Sequence, residues 1–437
     1  MGPEMWSLIM LAVIVGAIVM GVHVAFALST ISLIFGYFLM GDRVFPLYPV
    51  QAFGMATNYA FVAAPLFIYM GTLMEHAGVA EKLYEAFYQL LGPVRGGLAL
   101  ATIAMAIIFG ACTGIVGAGV ILIGLLALPS MLSRGYNKSL ATGSVMVGGG
   151  LGVMIPPSLM LILYGCAAGV SISTLYVASL LPGIVLGVMY MIFVYIWSLV
   201  DPKIGKPIAK EERIYGKALA RLVMRSLIPP VFLIIAVMGS IFFGLVGPSE
   251  AGAMGVLGAM ILVAIEGRFN LETLTKATAS AFKITAAVLM ICLGGQLFTG
   301  VFIATGGDVA LRTIILSFQA GPIGTTMIML GVVWLLGFVM DWIALIFILT
   351  PIFGPLCNAI HLDPVYFGIL FCTTLTISNM TPPFAYSAFY LKTIAPPEVT
   401  MGVIYRGCIP FFFVNTFCVF ALLLFPWLVM WLPSLMN

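Results

Sequence analysis

The chain has 437 residues, 62% of them hydrophobic and only 8% charged, with a formal net charge of +3 and a mean hydropathy of +1.20. A soluble domain carries about a quarter charged residues to hydrate its surface, so a water-soluble enzyme is excluded. The small, dispersed positive charge gives nucleic acid no footing, and what remains is an all-α polytopic membrane protein with lipid as its first partner.

Gly96 to Ser133 and Ser139 to Val200 contain no Asp, Glu, Lys or Arg. Arg225 to Arg268 is interrupted only by Glu250 and Glu266, and Arg312 to Asp363 only by Asp341. One crossing needs roughly 20 apolar residues to cover about 30 Å of hydrocarbon, so each run holds one or more. The runs are apolar all round instead of alternating, which selects helices over a barrel. Ten crossings are expected near residues 5–22, 24–40, 58–76, 139–165, 174–198, 227–246, 250–265, 283–303, 365–392 and 403–432. The first lacks a basic leader and is read as a retained span.

Two long apolar segments, about 93–132 and 322–356, fit no single span. Arg95 precedes the first, and Arg134 and Lys138 follow it. Cations at both ends suit a re-entrant hairpin with its tip at Gly110-Ala-Cys-Thr-Gly114, although two short tilted spans would carry the same charge pattern. Arms at about 98–111 and 115–129 would hold roughly 15 residues each, or about 22 Å of helix, too short to span. Between the halves lies a basic linker, residues 201–226, with Lys203, Lys206, Lys210, Arg213, Lys217, Arg221 and Arg225. Basic loops stay cytoplasmic, so this linker and all basic residues except Arg43 and Arg312 face inward, and the amino terminus faces outward.

The halves, 1–200 and 227–437, match at a constant offset of 226. Pro129 meets Pro355, Met154 meets Met380, Pro156-Pro157 meets Pro382-Pro383, and Tyr164 meets Tyr390. On the expected topology the two repeats run in opposite directions. Inverted repeats with broken helices at matching positions place a transport site near mid-membrane.

The first broken helix, about 139–165, carries Gly148-Gly149-Gly150-Leu151-Gly152 ahead of Pro156-Pro157-Ser158. Glycines and prolines weaken the helix, and carbonyls freed in hydrocarbon need a partner, which a cation such as sodium supplies. The second, about 365–392, sets Thr376, Ser378, Asn379 and Thr381 against Pro382-Pro383, a dense set of side-chain oxygens beside the break. Asp341 sits at the middle of the second hairpin-like segment, and an ionisable residue at that depth is a functional candidate, as a cation ligand or as an anchor for the tip. Glu250, after Gly247-Pro248, reads as a helix cap or interfacial residue. The three histidines lie near span ends, and the seven cysteines form no CxxC pair. No nucleophile–base set, phosphate-binding glycine loop or metal-ligand cluster is visible, so neither catalysis nor ATP hydrolysis is expected, nor any cofactor besides a coupling ion.

In order and spacing, several motifs resemble the large membrane subunit of tripartite ATP-independent periplasmic (TRAP) transporters over nearly the whole chain. They are Arg95-Gly-Gly, Phe109-Gly-Ala-Cys-Thr-Gly114, Gly135-Tyr136, Ile155-Pro-Pro-Ser158 with Tyr164-Gly165, Gly247-Pro-Ser-Glu-Ala251, Asp341 with Ile348-Leu-Thr-Pro351, Asp363-Pro-Val-Tyr-Phe-Gly368 and Thr381-Pro-Pro383. The resemblance implies a bacterial inner-membrane elevator-type carrier that moves a small organic acid inward by symport with sodium. It implies two partners, a small four-helix membrane subunit and a periplasmic solute-binding protein. It places sodium at Thr113, Gly114, Gly149, Gly150, Asp341, Thr376 and Thr381, and substrate or gate contacts at Gly152, Pro156, Pro157, Ser158, Ser378, Asn379, Pro382 and Pro383. Where the family often has Ser-Gly-Ser at the first tip, this chain has Thr113-Gly114-Ile115, and Gly148–Gly150 replace frequent serines, which shifts expected ligation towards backbone carbonyls. Phe384-Ala-Tyr-Ser387 is bulkier than the family's small residues and implies an altered pocket. The competing readings are a stand-alone ion-coupled carrier or antiporter and, from another class, an intramembrane enzyme or scaffold.

Overall fold

A computed structural model of the chain describes residues 2–382 and 385–436. These residues form twenty α-helices and, among them, no strand. The first half holds α1 (Pro3–Val19), α2 (Val24–Met40), α3 (Leu47–Thr57), α4 (Ala63–His76), α5 (Val79–Leu91), α6 (Gly97–Thr113), α7 (Val116–Ser133), α8 (Lys138–Leu151), α9 (Leu159–Ala168) and α10 (Ile172–Val200). The second holds α11 (Gly216–Phe242), α12 (Pro248–Ile265), α13 (Leu271–Ala304), α14 (Gly307–Ser317), α15 (Gly321–Gly337), α16 (Trp342–Ala359), α17 (Pro364–Ser378), α18 (Tyr386–Ile394), α19 (Met401–Leu424) and α20 (Trp427–Met430). Among the described residues, eight helices are long and apolar enough to cross a membrane, or nine if the run from α3 to α4, bent by 63°, is counted as one.

The spacing of 226 residues reappears in helix boundaries and in the devices that set them. Lys138 and Pro364 open the broken helices, Val116 and Trp342 open the returning hairpin arms, and Ala168 and Ile394 close the second half-helices, all at that separation. Asn137 caps α8, its side-chain oxygen accepting from the amides of Ser139 at 2.8 Å and Leu140 at 3.3 Å. Asp363 caps α17 likewise, from Val365 at 2.8 Å and Tyr366 at 2.9 Å. Such caps satisfy amides that a helix start leaves open. The turn before each cap needs one left-handed residue: Gly135 at φ 73° in the first half, but His361 at φ 54° in the second. Glycine enters that region freely, whereas a side chain carries a cost.

The halves pack extensively against each other. α2 lies on α13 as α4 lies on α12, and α1 lies on α14 as α5 lies on α11. The second half-helices cross over too: α9 packs on α16, and α18 on α7. So do the first half-helices, α8 on α19 and α17 on α10. Small residues permit the closest approaches. A methyl on Gly71 would fall 2.7 Å from the Thr113 carbonyl oxygen, which ties α4 to the first hairpin tip.

Several sequence expectations need correction. The first hairpin's arms have 17 and 18 residues, because α7 runs on through Pro129 to Ser133. At 1.5 Å per residue they reach about 26 Å, so arm length does not by itself force re-entry. α13 starts at Leu271, not near 283, on an Asn270 cap and a Glu272–Lys276 pair at 2.6 Å. α11 starts at Gly216, so Lys217, Arg221 and Arg225 are helical and the connector ends near residue 215. Spaced four apart, these three share one helix face. The short helices α3, α5 and α14 lay outside the expected crossings. In α5, Glu81, Lys82 and Glu85 are exposed while Val79, Leu83, Phe87 and Tyr88 are buried, the amphipathic pattern of a surface-lying arm.

Candidate functional site

The tip of the first hairpin sits against the first break. A methyl on Gly110 would lie 2.4 Å from the Cα of Gly152, and one on Gly114 would lie 3.3 Å from the carbonyl oxygen of Pro157. Gly114, at φ 62°, closes α6 in the left-handed conformation its tight tip requires. Gly148, Gly149 and Gly150 are helical, not unwound, and the break occupies residues 152–158. A methyl on Gly149 would fall 2.2 Å from Val120 Cγ2, so this glycine lets α8 approach α7, whereas one on Gly150 would meet nothing within 4 Å.

A helix leaves its last four carbonyls without intrahelical donors. At the end of α8, Leu151 accepts from the amides of Met154 and Ile155, both at 3.0 Å. The carbonyls of Gly149 and Gly150 accept from no backbone amide beyond the helix among the described residues. Their regular partners, the amides of Val153 and Met154, have left the helix in the turn ahead of Pro156-Pro157; the prolines themselves lack the amides that the carbonyls of Gly152 and Val153 would have met. The first break is therefore rich in acceptors. Thr113 and Ser158 contribute less than their chemistry suggests. Thr113 Oγ1 donates back to the carbonyls of Phe109 and Gly110, at 3.3 and 3.4 Å. Ser158 caps α9, accepting from the Leu161 amide at 3.5 Å and donating to the Val153 carbonyl.

The second cradle is built differently. A methyl on Gly337, at the end of α15, would lie 2.1 Å from Ser378 Oγ, so hairpin and break again touch. Asp341 caps α16: its Oδ2 accepts from the Ile343 amide at 3.1 Å, the tip-anchoring role among those its position allowed. Thr376 Oγ1 donates to the Thr373 carbonyl at 2.7 Å and accepts from Asn415 Nδ2 at 2.8 Å, so α19 holds it in place. Sequence reasoning missed Asn415; an asparagine inside an apolar run was the available signal. Thr381 Oγ1 bonds back to Ile377 and Ser378, at 3.2 and 3.3 Å. The buried Ser378 Oγ, Asn379 Nδ2 and Ser387 Oγ have no partner. This break therefore offers unpaired amide and hydroxyl donors where the first offers carbonyls. Thr373 Oγ1, within α17, reaches Met154 Sδ at 3.7 Å and ties that helix to the first break. Pro382 is exposed and lines a cavity of about 350 Å³ with Thr381, Trp334 and Phe338. Pro383 and Phe384 lie outside the described residues.

Comparison with known proteins identifies the architecture. The family described as "Tripartite ATP-independent periplasmic transporter, DctM component" matches residues 9–428. The chain belongs to this TRAP transporter family. It is 28% identical over 430 residues to the ectoine TRAP transporter large permease protein TeaC of Halomonas elongata, covering 98% of this chain and 99% of that one. Identity is 26% over 386 residues to the C4-dicarboxylate TRAP transporter large permease protein DctM of Pseudomonas aeruginosa, covering 88% and 87%. It is again 26%, over 422 residues, to the sialic acid protein SiaM of Vibrio cholerae, covering 96% of each. The crystal structure of the YdaH transporter of Alcanivorax borkumensis shares the fold, with a TM-score of 0.64 at 14% identity over 88% of both chains. This TRAP chain is thus an all-helical, multi-pass membrane component of a transporter.

Outside the spans, the connector clamps the root of the first hairpin. Gly96 donates to the Gly205 carbonyl at 3.0 Å, Asn137 to Ile204 at 2.8 Å and Ile208 to Gly92 at 2.9 Å. Glu212 accepts from Arg134 Nη2 at 2.5 Å and from the Tyr88 hydroxyl at 3.0 Å. The Arg134 guanidinium first, and Tyr88 second, hold its carboxyl below the ordinary carboxylate range. Glu250 lies in the first turn of α12, as its sequence position suggested, and accepts from the Tyr59 hydroxyl at 2.9 Å.

Proposed function

We propose that this chain is the large membrane subunit of a binding-protein-dependent TRAP transporter that couples sodium entry to inward movement of a small organic acid anion across the bacterial inner membrane. One observation carries the reading: the first hairpin tip closes on a helix break where the carbonyls of Gly149 and Gly150 have no backbone donor beyond the helix among the described residues. Oxygen dipoles held so inside a membrane suit a hard, weakly polarising cation. Gly149 and Gly150 supply such carbonyls, and Thr113 and Gly114 roof them. Asp341, beside Thr376 and Thr381, forms the second ion position, its carboxylate balancing sodium's charge. Gly152, Pro156, Pro157, Ser158, Ser378, Asn379 and Pro382 border the solute chamber between the breaks.

In this reading residues 1–200 and 227–437 are inverted repeats, the amino terminus is periplasmic, and α6–α10 with α15–α19 move as one elevator body against the remaining helices. A small four-helix membrane subunit and a periplasmic solute-binding protein complete the assembly. The decisive experiment uses proteoliposomes holding the chain and its small subunit, with binding protein outside, and radiolabelled ectoine, a C4-dicarboxylate and sialic acid as probes. Uptake that collapses when choline replaces sodium, and that requires the binding protein, supports the proposal. Equal uptake in choline overturns sodium coupling, and uptake without binding protein favours a stand-alone carrier.

A further inference from the structure

The second half-helix begins with two tyrosines four residues apart. Residues at that spacing share a helix face, and the Tyr390 hydroxyl donates to that of Tyr386 at 2.7 Å, with the rings edge-to-face at 4.7 Å. Tyr390 lies over the returning arm of the first hairpin, for a methyl on Gly117 would sit 2.8 Å from its Cζ. Tyr386 lies within electrostatic range of Asp341, at the tip of the second. The phenol pair thus stands on the returning arm of the first hairpin, and both rings are only half-buried.

Proton counting shows what the pair is free to do. Two phenols bring two O–H protons and share one hydrogen bond, which leaves one proton unspent. With Tyr390 as donor, the spare proton is that of Tyr386, and neither hydroxyl has a further partner among the described residues. Nearby, the Ser387 amide donates to the Asn379 carbonyl at 3.0 Å, which folds both residues together. Their buried side-chain groups, Ser387 Oγ and Asn379 Nδ2, are also unpaired. The ammonium on the same half-helix, Lys392, is engaged by the Val399 carbonyl at 2.9 Å. Neutral donors without a cation recognise an oxygen acceptor and not a positively charged group.

Building on the transport reading above, we propose that the Tyr386–Tyr390 pair is a selectivity element of the solute site: Tyr386 donates its proton to a carboxylate or hydroxyl oxygen of the transported acid, and Tyr390 orients it. Accepting from Tyr390 polarises the Tyr386 hydroxyl and strengthens its outward bond. The test uses the reconstituted complex with binding protein, on whichever of ectoine, a C4-dicarboxylate or sialic acid the unaltered complex accumulates in sodium. Tyr386→Phe deletes the donor and raises KM about tenfold, the loss expected for a hydrogen bond to a charged acceptor. Tyr390→Phe leaves the donor unoriented and raises KM less, while half-saturating sodium stays unchanged in both. A Tyr386→Phe KM within twofold of the original overturns the proposal, as do KM and half-saturating sodium rising together. Should Tyr386→Phe lower the thermal transition, Tyr390→Phe decides, and an unchanged KM there overturns it. Failure of the unaltered complex to accumulate any of the three with sodium overturns the transport reading and this inference with it.

Discussion

Gly110 is the position where the geometry makes its sharpest demand. The hydrogen on its Cα faces the backbone of Gly152, and a methyl there would lie 2.4 Å from that Cα and 2.9 Å from its nitrogen. Ordinary contact begins at 3.4 Å, so Gly110→Ala must drive tip and break apart by 1.0 Å. Neither side can yield by rotating a side chain, because both are backbone. Overpacking of this kind costs about 1–3 kcal/mol, and a displacement of about 1 Å at a positioned site costs on the order of a hundredfold in rate. Sodium-dependent uptake should therefore fall ten- to hundredfold, with a raised half-saturating sodium concentration and a lowered thermal transition. Gly239→Ala is the control: a methyl there meets nothing within 4 Å, and the better helix former stabilises by about 0.5–1 kcal/mol. Normal sodium dependence in Gly110→Ala would refute the idea that close apposition of tip and break builds the ion site.

Asp341→Asn keeps a good helix cap, so the thermal transition should stay within about 0.5 kcal/mol of the original while sodium-stimulated uptake drops; equal loss of both would make Asp341 a purely structural cap. His361→Gly relieves a left-handed residue at φ 54° and should stabilise by about 1 kcal/mol, seen as a higher thermal transition with unchanged uptake. Arg134 and Tyr88 depress the Glu212 carboxyl, so its contribution is present above the ordinary glutamate range and is lost as pH falls through its lowered value. Proteolysis of the 201–215 connector should accelerate over that acid range, and Glu212→Gln should show the faster cleavage already at neutral pH.

What could be read from the sequence was what backbone chemistry forces. Pro156-Pro157 and Pro382 announced the breaks because proline cannot continue a helix ladder, and paired prolines at one offset exposed the repeat. Positions set by tertiary contacts were hidden. α7 passes straight through Pro129 to Ser133, beyond the expected end of the arm at about 129. Gly148–Gly150 suggested unwound chain yet lie inside α8, because packing against Val120 and Ala106 favours a thin helix there. The hydroxyls of Thr113, Thr376 and Thr381 counted as ligands in the sequence, but all three bond to their own helix. The contrast between an acceptor-rich first break and a donor-rich second one depends on which groups find partners, and that is settled only in three dimensions.

The crosswise packing of the halves bears on how the molecule is made. α2, α4 and α9 all find their main neighbours in the later half of the chain. During synthesis, then, the early helices enter the bilayer before the surfaces they will press against exist. Until the ribosome delivers α11 onwards, their glycine faces are lined by lipid tails, an acceptable holding state because association in a bilayer is a separate step from insertion. A ribosome that stalls near the connector would release α2, α4 and α9 without the surfaces they pack on.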